Sequence, residues 1–74
     1  MFTKDKSSRL DNKVRAARNH KTLTQDELAV AVNVTRQTII SIEKGNYVPS
    51  VLLALKLAAV LDKKVEELFV YEKV

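Results

Sequence analysis

Two helix starts lie close together in the segment TQDELAVAVNVTRQTIISIEKG, and this spacing most constrains the fold. A threonine precedes each start, Thr24 and Thr35, and Asn33 stands between them where the first helix must end. Thr24 and Glu27 form the Thr-x-x-Glu pattern of a capping box. Asn tolerates the left-handed conformation by which a chain leaves a helix. Two helices joined by so short a turn must cross steeply, so the segment predicts a helix-turn-helix.

Apolar residues around the turn fit this interpretation. The backbones of two crossing helices come close together, so the crossing needs a small residue, and Ala29 is the one in this sequence. Val34 and Ile39 are expected to pack beneath the turn, and Ile42 ties the second of these helices to the core. Gly45 is the preferred type of residue just past a helix end.

The outward face of the helix after Thr35 follows from a rotation of about 100° per residue. That face is predicted to carry Arg36, Gln37, Ile40, Ser41 and Lys44. Thr38, Ile39 and Ile42 fall on the opposite side. Arg and Gln make bidentate hydrogen bonds to guanine and adenine, Ser donates or accepts, and an exposed Ile meets a thymine methyl group. Singly these are ordinary surface residues, but together they indicate a helix that reads the major groove of DNA.

The apolar pattern of the remaining chain predicts three more helices, over about Leu10 to His20, Ser50 to Leu61 and Val65 to Phe69. With 74 residues, one Gly and one Pro, the chain has room for one domain and few signals for strands. We therefore expect an all-α fold, a compact five-helix domain with a possible short strand in the C-terminal tail. Residues 9–69 form this domain, residues 1–8 a flexible basic arm, and residues 70–74 the tail.

Positive charge is concentrated at the N-terminal end. The chain has a net charge of +4, and residues 1–21 hold seven Lys or Arg against two Asp. A basic arm and first helix suit a polyanion such as nucleic acid. The alternatives are a soluble surface with a frayed tail, and an N-terminal segment that is plainly disordered and does not follow DNA.

The sequence lacks the residues that enzymes and metal-binding proteins need. There is no cysteine, His20 is the one histidine and has no carboxylate arranged around it, and no Gly-rich phosphate loop is present. We therefore expect no enzyme activity, no metal, no cofactor and no small-molecule ligand. No apolar run is long enough to span a bilayer and no signal segment opens the chain, which predicts a cytoplasmic protein without membrane partners. The expected binding to DNA would make it nucleoid-associated.

Several ordered patterns resemble the Cro and phage-repressor type of helix-turn-helix, also called the Xre family. They are Gln25-x-x-Leu28-Ala29, Val34-Thr35-Arg36-Gln37-Thr38-Ile39, Ile42-Glu43-Lys44-Gly45, Pro49-Ser50 and Leu55-x-Leu57-Ala58. The resemblance covers about Leu10 to Phe69 and implies a five-helix lambda-repressor-like domain with the third helix in the major groove. It implies a transcriptional regulator, expected to be a repressor, that binds two-fold symmetric double-stranded operators as a homodimer. Asn33, Asp62 and Lys63 depart from the residues that the family often has there.

The resemblance also implies roles by position. Arg36, Gln37 and Ser41 would contact base edges, joined by Ile40 from the geometry above. Phosphate contacts would come from Gln25, Thr35, Thr38, Lys44, Asn46 and Tyr47. The free N–H groups at the start of the second helix independently favour a phosphate site beside Gln25, which is otherwise an ordinary first-turn residue. Tyr47 has the alternative of packing its ring on the loop.

Glu43 needs a cationic partner because a lone carboxylate beside DNA phosphates is repelled. It borders the buried side of its helix, and Arg18 lies one turn after Val14 on the apolar stripe of the first helix. The resemblance likewise pairs these two positions, so we expect a structural salt bridge between Arg18 and Glu43.

Dimerisation is inferred from apolar residues in the fourth helix that exceed one stripe, with Leu52 and Ala59 left exposed. Phe69, Val70 and Tyr71 are expected to add to that surface. The alternative is that all of these residues close a monomeric core.

A rival function is a protein-binding module of the antitoxin or coactivator-bridging type, with only nonspecific affinity for DNA.

Overall fold

The computed structural model describes residues 8–73, and for Ser8, Arg9 and Lys73 it describes the backbone alone. The elements are β1 (Ser8–Asn12), α1 (Val14–His20), α2 (Gln25–Val32), α3 (Arg36–Glu43), α4 (Val51–Leu61), α5 (Val65–Leu68) and β2 (Phe69–Lys73). The five expected helices are present, together with a two-stranded antiparallel sheet. Of the expected flexible arm, residues 1–7 lie outside the described residues, and Ser8 begins β1.

The helix boundaries follow the capping signals. Thr24 and Glu27 form the full capping box at the start of α2, with Thr24 accepting from the Glu27 N–H and the Glu27 side chain accepting from the Thr24 N–H. Thr35 and Ser50 cap α3 and α4 through one hydrogen bond each, without the reciprocal bond of a capping box. The Thr35 side chain accepts from the Thr38 N–H, and the Ser50 side chain accepts from the Leu53 N–H. Asn33 ends α2 in the left-handed conformation, with φ of 61°. The predicted helix-turn-helix is therefore confirmed at both of its starts and at its stop.

The first helix begins four residues later than predicted, and the expectation that it starts at Leu10 is wrong. Residues 8–12 pair with residues 69–73 instead, with Leu10 opposite Tyr71 and Asn12 opposite Phe69. The side chain of Asn12 lies at the change from strand to helix: its Oδ1 accepts from the Val14 N–H and its Nδ2 donates to the Ile42 carbonyl. This anchor ends the strand and opens α1, and Leu10 is left 38% exposed rather than on a helical stripe.

The strand expected in the C-terminal tail is present as β2. It follows α5 directly, and the Lys13 N–H donates to the Leu68 carbonyl at 2.8 Å, which ties the start of α1 to the end of α5. The sheet thus brings the two ends of the described chain together. Tyr71 is 69% exposed on it.

One apolar core holds the five helices. Its fully buried side chains come from every helix: Val14, Leu28, Val32, Ile39, Ile42, Leu57, Leu61 and Leu68. Ala29 is 3% exposed, and its carbonyl accepts from the Val34 N–H at 2.9 Å, so the small residue lies buried beside the turn as expected. Removal of these apolar side chains from water drives the fold, at about 1.5–3 kcal/mol for each large one.

None of the helices within residues 8–73 combines the length and the apolar character that crossing a membrane requires.

Candidate nucleic-acid interface

The two sides of α3 differ as the sequence predicted. Ile39 and Ile42 are buried at 0% and 1% exposure, and they fix the rotation of the helix against the core. Arg36 and Gln37 are exposed at its start. The rotation therefore leaves the arginine and the glutamine available to an external partner.

Two of the other predicted residues of that face are more enclosed than Arg36 and Gln37. Ile40 and Ser41 are half-buried, and Lys44 is exposed just past the helix end. Gln37 donates to the Ser41 hydroxyl at 3.4 Å, one turn apart along the face. The expectation that Thr38 lies with Ile39 and Ile42 on the buried side is wrong. Thr38 is half-buried, its hydroxyl is 3.0 Å from that of Thr35, and it lines the same shallow cavity as Gln37.

A shallow cavity of about 220 Å³ joins α3 to the loop that follows it. Its lining consists of candidate base and phosphate contacts: Thr35, Gln37, Thr38, Ser41, Asn46 and Tyr47. Tyr47 is 47% exposed, so its side chain is only partly covered where it lines this cavity. Gly45 makes the bend into this loop with φ of +79°. The loop thus presents its polar side chains beside those of the helix.

The start of α2 provides the second part of the surface. The Glu27 N–H bonds to Thr24 and the Leu28 N–H bonds to the Thr24 carbonyl, so within the described hydrogen bonds the N–H groups of Gln25 and Asp26 remain for an outside acceptor. The positive end of the helix macrodipole adds to the attraction for an anion there. The start of α2 therefore has the unbonded N–H groups that a phosphate contact uses.

The predicted pair of Arg18 and Glu43 is present and nearly buried. Arg18 Nε donates to Glu43 Oε2 at 2.7 Å and Nη2 to Oε1 at 3.2 Å, with the two side chains 10% and 4% exposed. The third nitrogen of Arg18 donates to the Leu23 carbonyl at 2.9 Å, in the turn ahead of α2. One guanidinium therefore holds together the end of α3, α1 and the approach to α2.

Gln25 joins this network, which the sequence did not reveal. Its Nε2 donates to Glu43 Oε1 at 3.2 Å, so the amide is fixed to the far end of α3. The second N–H of the same nitrogen and the amide oxygen are then oriented rather than free to rotate. The ion pair thereby positions a candidate phosphate contact.

A polar cleft of about 620 Å³ lies between α1, the start of α2 and the outer side of α3. Arg15, Arg36 and Lys44 bring positive charge to it, beside the neutralised pair of Arg18 and Glu43. Arg15 and Asp26 line this cleft but were not among the predicted site residues. For Arg15 a signal existed, because it is an exposed cation on α1, three residues ahead of Arg18.

Residues 8–73 contain no group of three or more His, Cys, Asp or Glu side chains placed to hold a metal ion. The chemistry of the surface is instead that of cations, amides and hydroxyls around a helix face, which matches a partner with phosphates and base edges.

Comparison with protein-family models and with known proteins agrees with this geometry. A family model described as helix-turn-helix matches residues 14–68. An uncharacterized HTH-type transcriptional regulator of Methanocaldococcus jannaschii is 48% identical over 63 residues, which are 85% of this chain and 96% of that protein. YgzD of Bacillus subtilis, also named an uncharacterized HTH-type transcriptional regulator, is 45% identical over 64 residues, with 86% and 97% covered.

Solved structures give the same result. The restriction-modification controller protein C.AhdI from Aeromonas hydrophila superposes with a TM-score of 0.68 at 33% identity, over 73% of this chain and 82% of that one. The clp gene regulator ClgR from Corynebacterium glutamicum gives a TM-score of 0.69 at 28% identity, over 73% and 57%. With the buried and exposed sides of α3, these matches show that the chain belongs to the Xre family of Cro/C1-type helix-turn-helix transcriptional regulators.

Proposed function

We propose that this protein is a sequence-specific repressor that binds double-stranded DNA as a homodimer and inserts α3 into the major groove. The observation that carries the proposal is the division of α3 into a buried side, with Ile39 and Ile42, and a side on which Arg36 and Gln37 are exposed. A helix whose rotation is fixed by the core holds its base-reading side chains in one register along the groove.

Base readout is assigned to four residues. Arg36 would bond guanine through two nitrogens and Gln37 would bond adenine through its amide. Ser41, which accepts a hydrogen bond from Gln37, would donate to or accept from a neighbouring base. Ile40 would contact a thymine methyl group with the part of its side chain that stays exposed. Each good bidentate pair discriminates against a wrong base by about 1–3 kcal/mol.

Phosphate contacts are assigned to both ends of the surface. Gln25, held by Glu43, and the N–H groups at the start of α2 would bind one phosphate. The others would come from the polar residues around α3 and its loop: Thr35, Thr38, Lys44, Asn46 and Tyr47. Such contacts fix orientation on the duplex and carry no sequence information of their own.

Homodimerisation would use an exposed apolar ridge at the start of α4. Val51, Leu52 and Leu55 are 77%, 63% and 54% exposed, and Leu55 follows Val51 and Leu52 at the four- and three-residue spacing of one helix side. Val48, in the loop just ahead of α4, is 47% exposed. Binding to two half-sites requires a symmetric contact that places two copies of α3 about 34 Å apart, one turn of DNA. Occupation of promoter DNA would then repress transcription.

The same ridge favours the rival function, a protein-binding module that docks a different protein and holds DNA only by charge. Selection of bound duplexes from random DNA separates the two. The proposal predicts an enriched site with two inverted halves, whereas a module with only electrostatic affinity enriches no sequence. Light scattering at concentrations above those used for binding should report a dimer. A monomer at those concentrations would rule out the proposed homodimer.

A further inference from the structure

Asp26 is a carboxylate on a surface that is otherwise suited to a polyanion. The neighbouring carboxylates have structural uses, since Glu27 completes the capping box and Glu43 is paired with Arg18. Asp26 is 72% exposed in its side chain and lines the cleft that also holds Arg15, and none of the described hydrogen bonds involves its carboxylate. A charge placed there repels phosphates, so it costs affinity for every DNA sequence.

The carboxylate lies next to the first residue of α3. Asp26 Oδ1 is 3.9 Å from Arg36 Nε, a distance that is longer than a hydrogen bond but short enough for ionic attraction. Both side chains are exposed, so the pair is loose and remains open to an incoming ligand. A carboxylate on the Nε side of a guanidinium leaves the edge formed by Nη1 and Nη2 available for a bidentate contact with O6 and N7 of guanine.

We propose that Asp26 is a specificity-determining residue, which restrains Arg36 for base readout and keeps it from serving as an indiscriminate phosphate contact. The inference rests on the proposed function. A free arginine at this position gains from any phosphate it reaches. With Asp26 beside it, the guanidinium is already partly neutralised on one side, and a further gain depends on a ligand that fits its outer edge. Repulsion between Asp26 and phosphates lowers the affinity for all sequences, and the fit to guanine restores it for the correct one.

Loss of the Asp26 charge should therefore raise the affinity for unrelated DNA and lower the preference for the selected site. Replacement of Asp26 by Asn keeps the size of the side chain and removes its charge, so binding to unrelated DNA should strengthen, by about two- to threefold at moderate salt. The ratio of affinities for the selected site and an unrelated duplex should fall by about two- to threefold, because an exposed ion pair at 3.9 Å is a weak restraint. A residue that only stabilises the start of α2 through the helix macrodipole would change the melting temperature and leave this ratio unaltered.

The experiment compares the wild type, Asp26→Asn and Glu66→Gln on a labelled selected duplex and on a scrambled duplex of the same composition, by fluorescence anisotropy at two salt concentrations. Glu66 is an exposed first-turn carboxylate of α5, away from the cleft, so its replacement makes the same change in net charge. We expect a lower ratio in Asp26→Asn and an unchanged ratio in Glu66→Gln. An equal gain on both duplexes in Asp26→Asn overturns the inference while the wild-type ratio still upholds the proposed function. A wild type that does not discriminate overturns both.

A double-mutant cycle tests whether the effect runs through Arg36. In an Arg36→Ala background the ratio is already reduced, and we expect Asp26→Asn to lower it no further. An equal fall in both backgrounds would mean that Asp26 acts independently of the arginine, and would overturn the assignment. Circular dichroism of each variant at the assay temperature establishes that the compared proteins are folded.

Discussion

The ion pair between Arg18 and Glu43 allows a test of how the interface is held together. In Arg18→Met the carboxylate of Glu43, 4% exposed, keeps the Gln25 amide as its one remaining donor among the described hydrogen bonds. The Leu23 carbonyl also loses the bond it receives from Arg18. Breaking a buried pair on one side costs about 3–5 kcal/mol, because the survivor is an uncompensated charge.

That cost is large for a chain of this size. A domain of 74 residues is stabilised by about 4–11 kcal/mol. A loss of 3 kcal/mol corresponds to a fall in melting temperature of about 12 °C or more. In the double variant Arg18→Met/Glu43→Leu no charge is left unpaired, so its free energy of unfolding should stay within about 2 kcal/mol of the wild type.

Urea denaturation followed by circular dichroism measures both differences. Lys21→Ala is the matched control, because Lys21 and Asp62 form a loose pair at 3.9 Å with side chains 40% and 88% exposed, and its loss should change stability by less than about 0.5 kcal/mol. If Arg18→Met is no less stable than Lys21→Ala, or if the double variant is as unstable as the single one, the ion pair does not stabilise the domain in this way.

Three further predictions concern the turns and the ridge. Gly45 has φ of +79° with open space where a Cβ would lie, so Gly45→Ala should cost about 1 kcal/mol by backbone strain alone; unchanged urea midpoints would contradict this. Thr22 is a β-branched residue at φ of 58°, so Thr22→Asn should stabilise the domain by up to about 1 kcal/mol, and a lower midpoint would count against strain there. Leu52→Asp, on the exposed ridge, should give a monomer in light scattering and weaken binding to a two-half site, whereas an intact dimer would exclude Leu52 from the interface.

Local signals located the helix-turn-helix because they act within a few residues. The cap at Thr24 with Glu27 and the left-handed exit at Asn33 each depend on a backbone group that is adjacent in sequence. The rotation of α3 was equally readable, since Ile39 and Ile42 define a buried side wherever the helix is placed. Predicting the pair of Arg18 and Glu43 required two patterns together. One was a cation on the apolar stripe of the first helix, and the other was a carboxylate at the border of the buried side of α3.

Contacts between distant segments were less readable. Residues 8–12 form a strand because β2 lies beside them and the Asn12 amide reaches the Ile42 carbonyl, and neither fact is visible in a window around Leu10. The bond from Gln25 to Glu43 depends on how α2 and α3 pack. Thr22 in a left-handed conformation had no signal, since β-branched residues avoid it.

Readout of base pairs by Arg36 of α3 can be tested by measuring the affinity for every single-base variant of the selected duplex. The wild type, Arg36→Ala and Lys44→Ala are compared at several salt concentrations. We predict that Arg36→Ala loses its preference at one base pair in each half-site and keeps the others, while Lys44→Ala binds every variant more weakly, with an unchanged pattern and a smaller salt slope. A preference pattern that is the same in Arg36→Ala as in the wild type would show that Arg36 does not read a base pair.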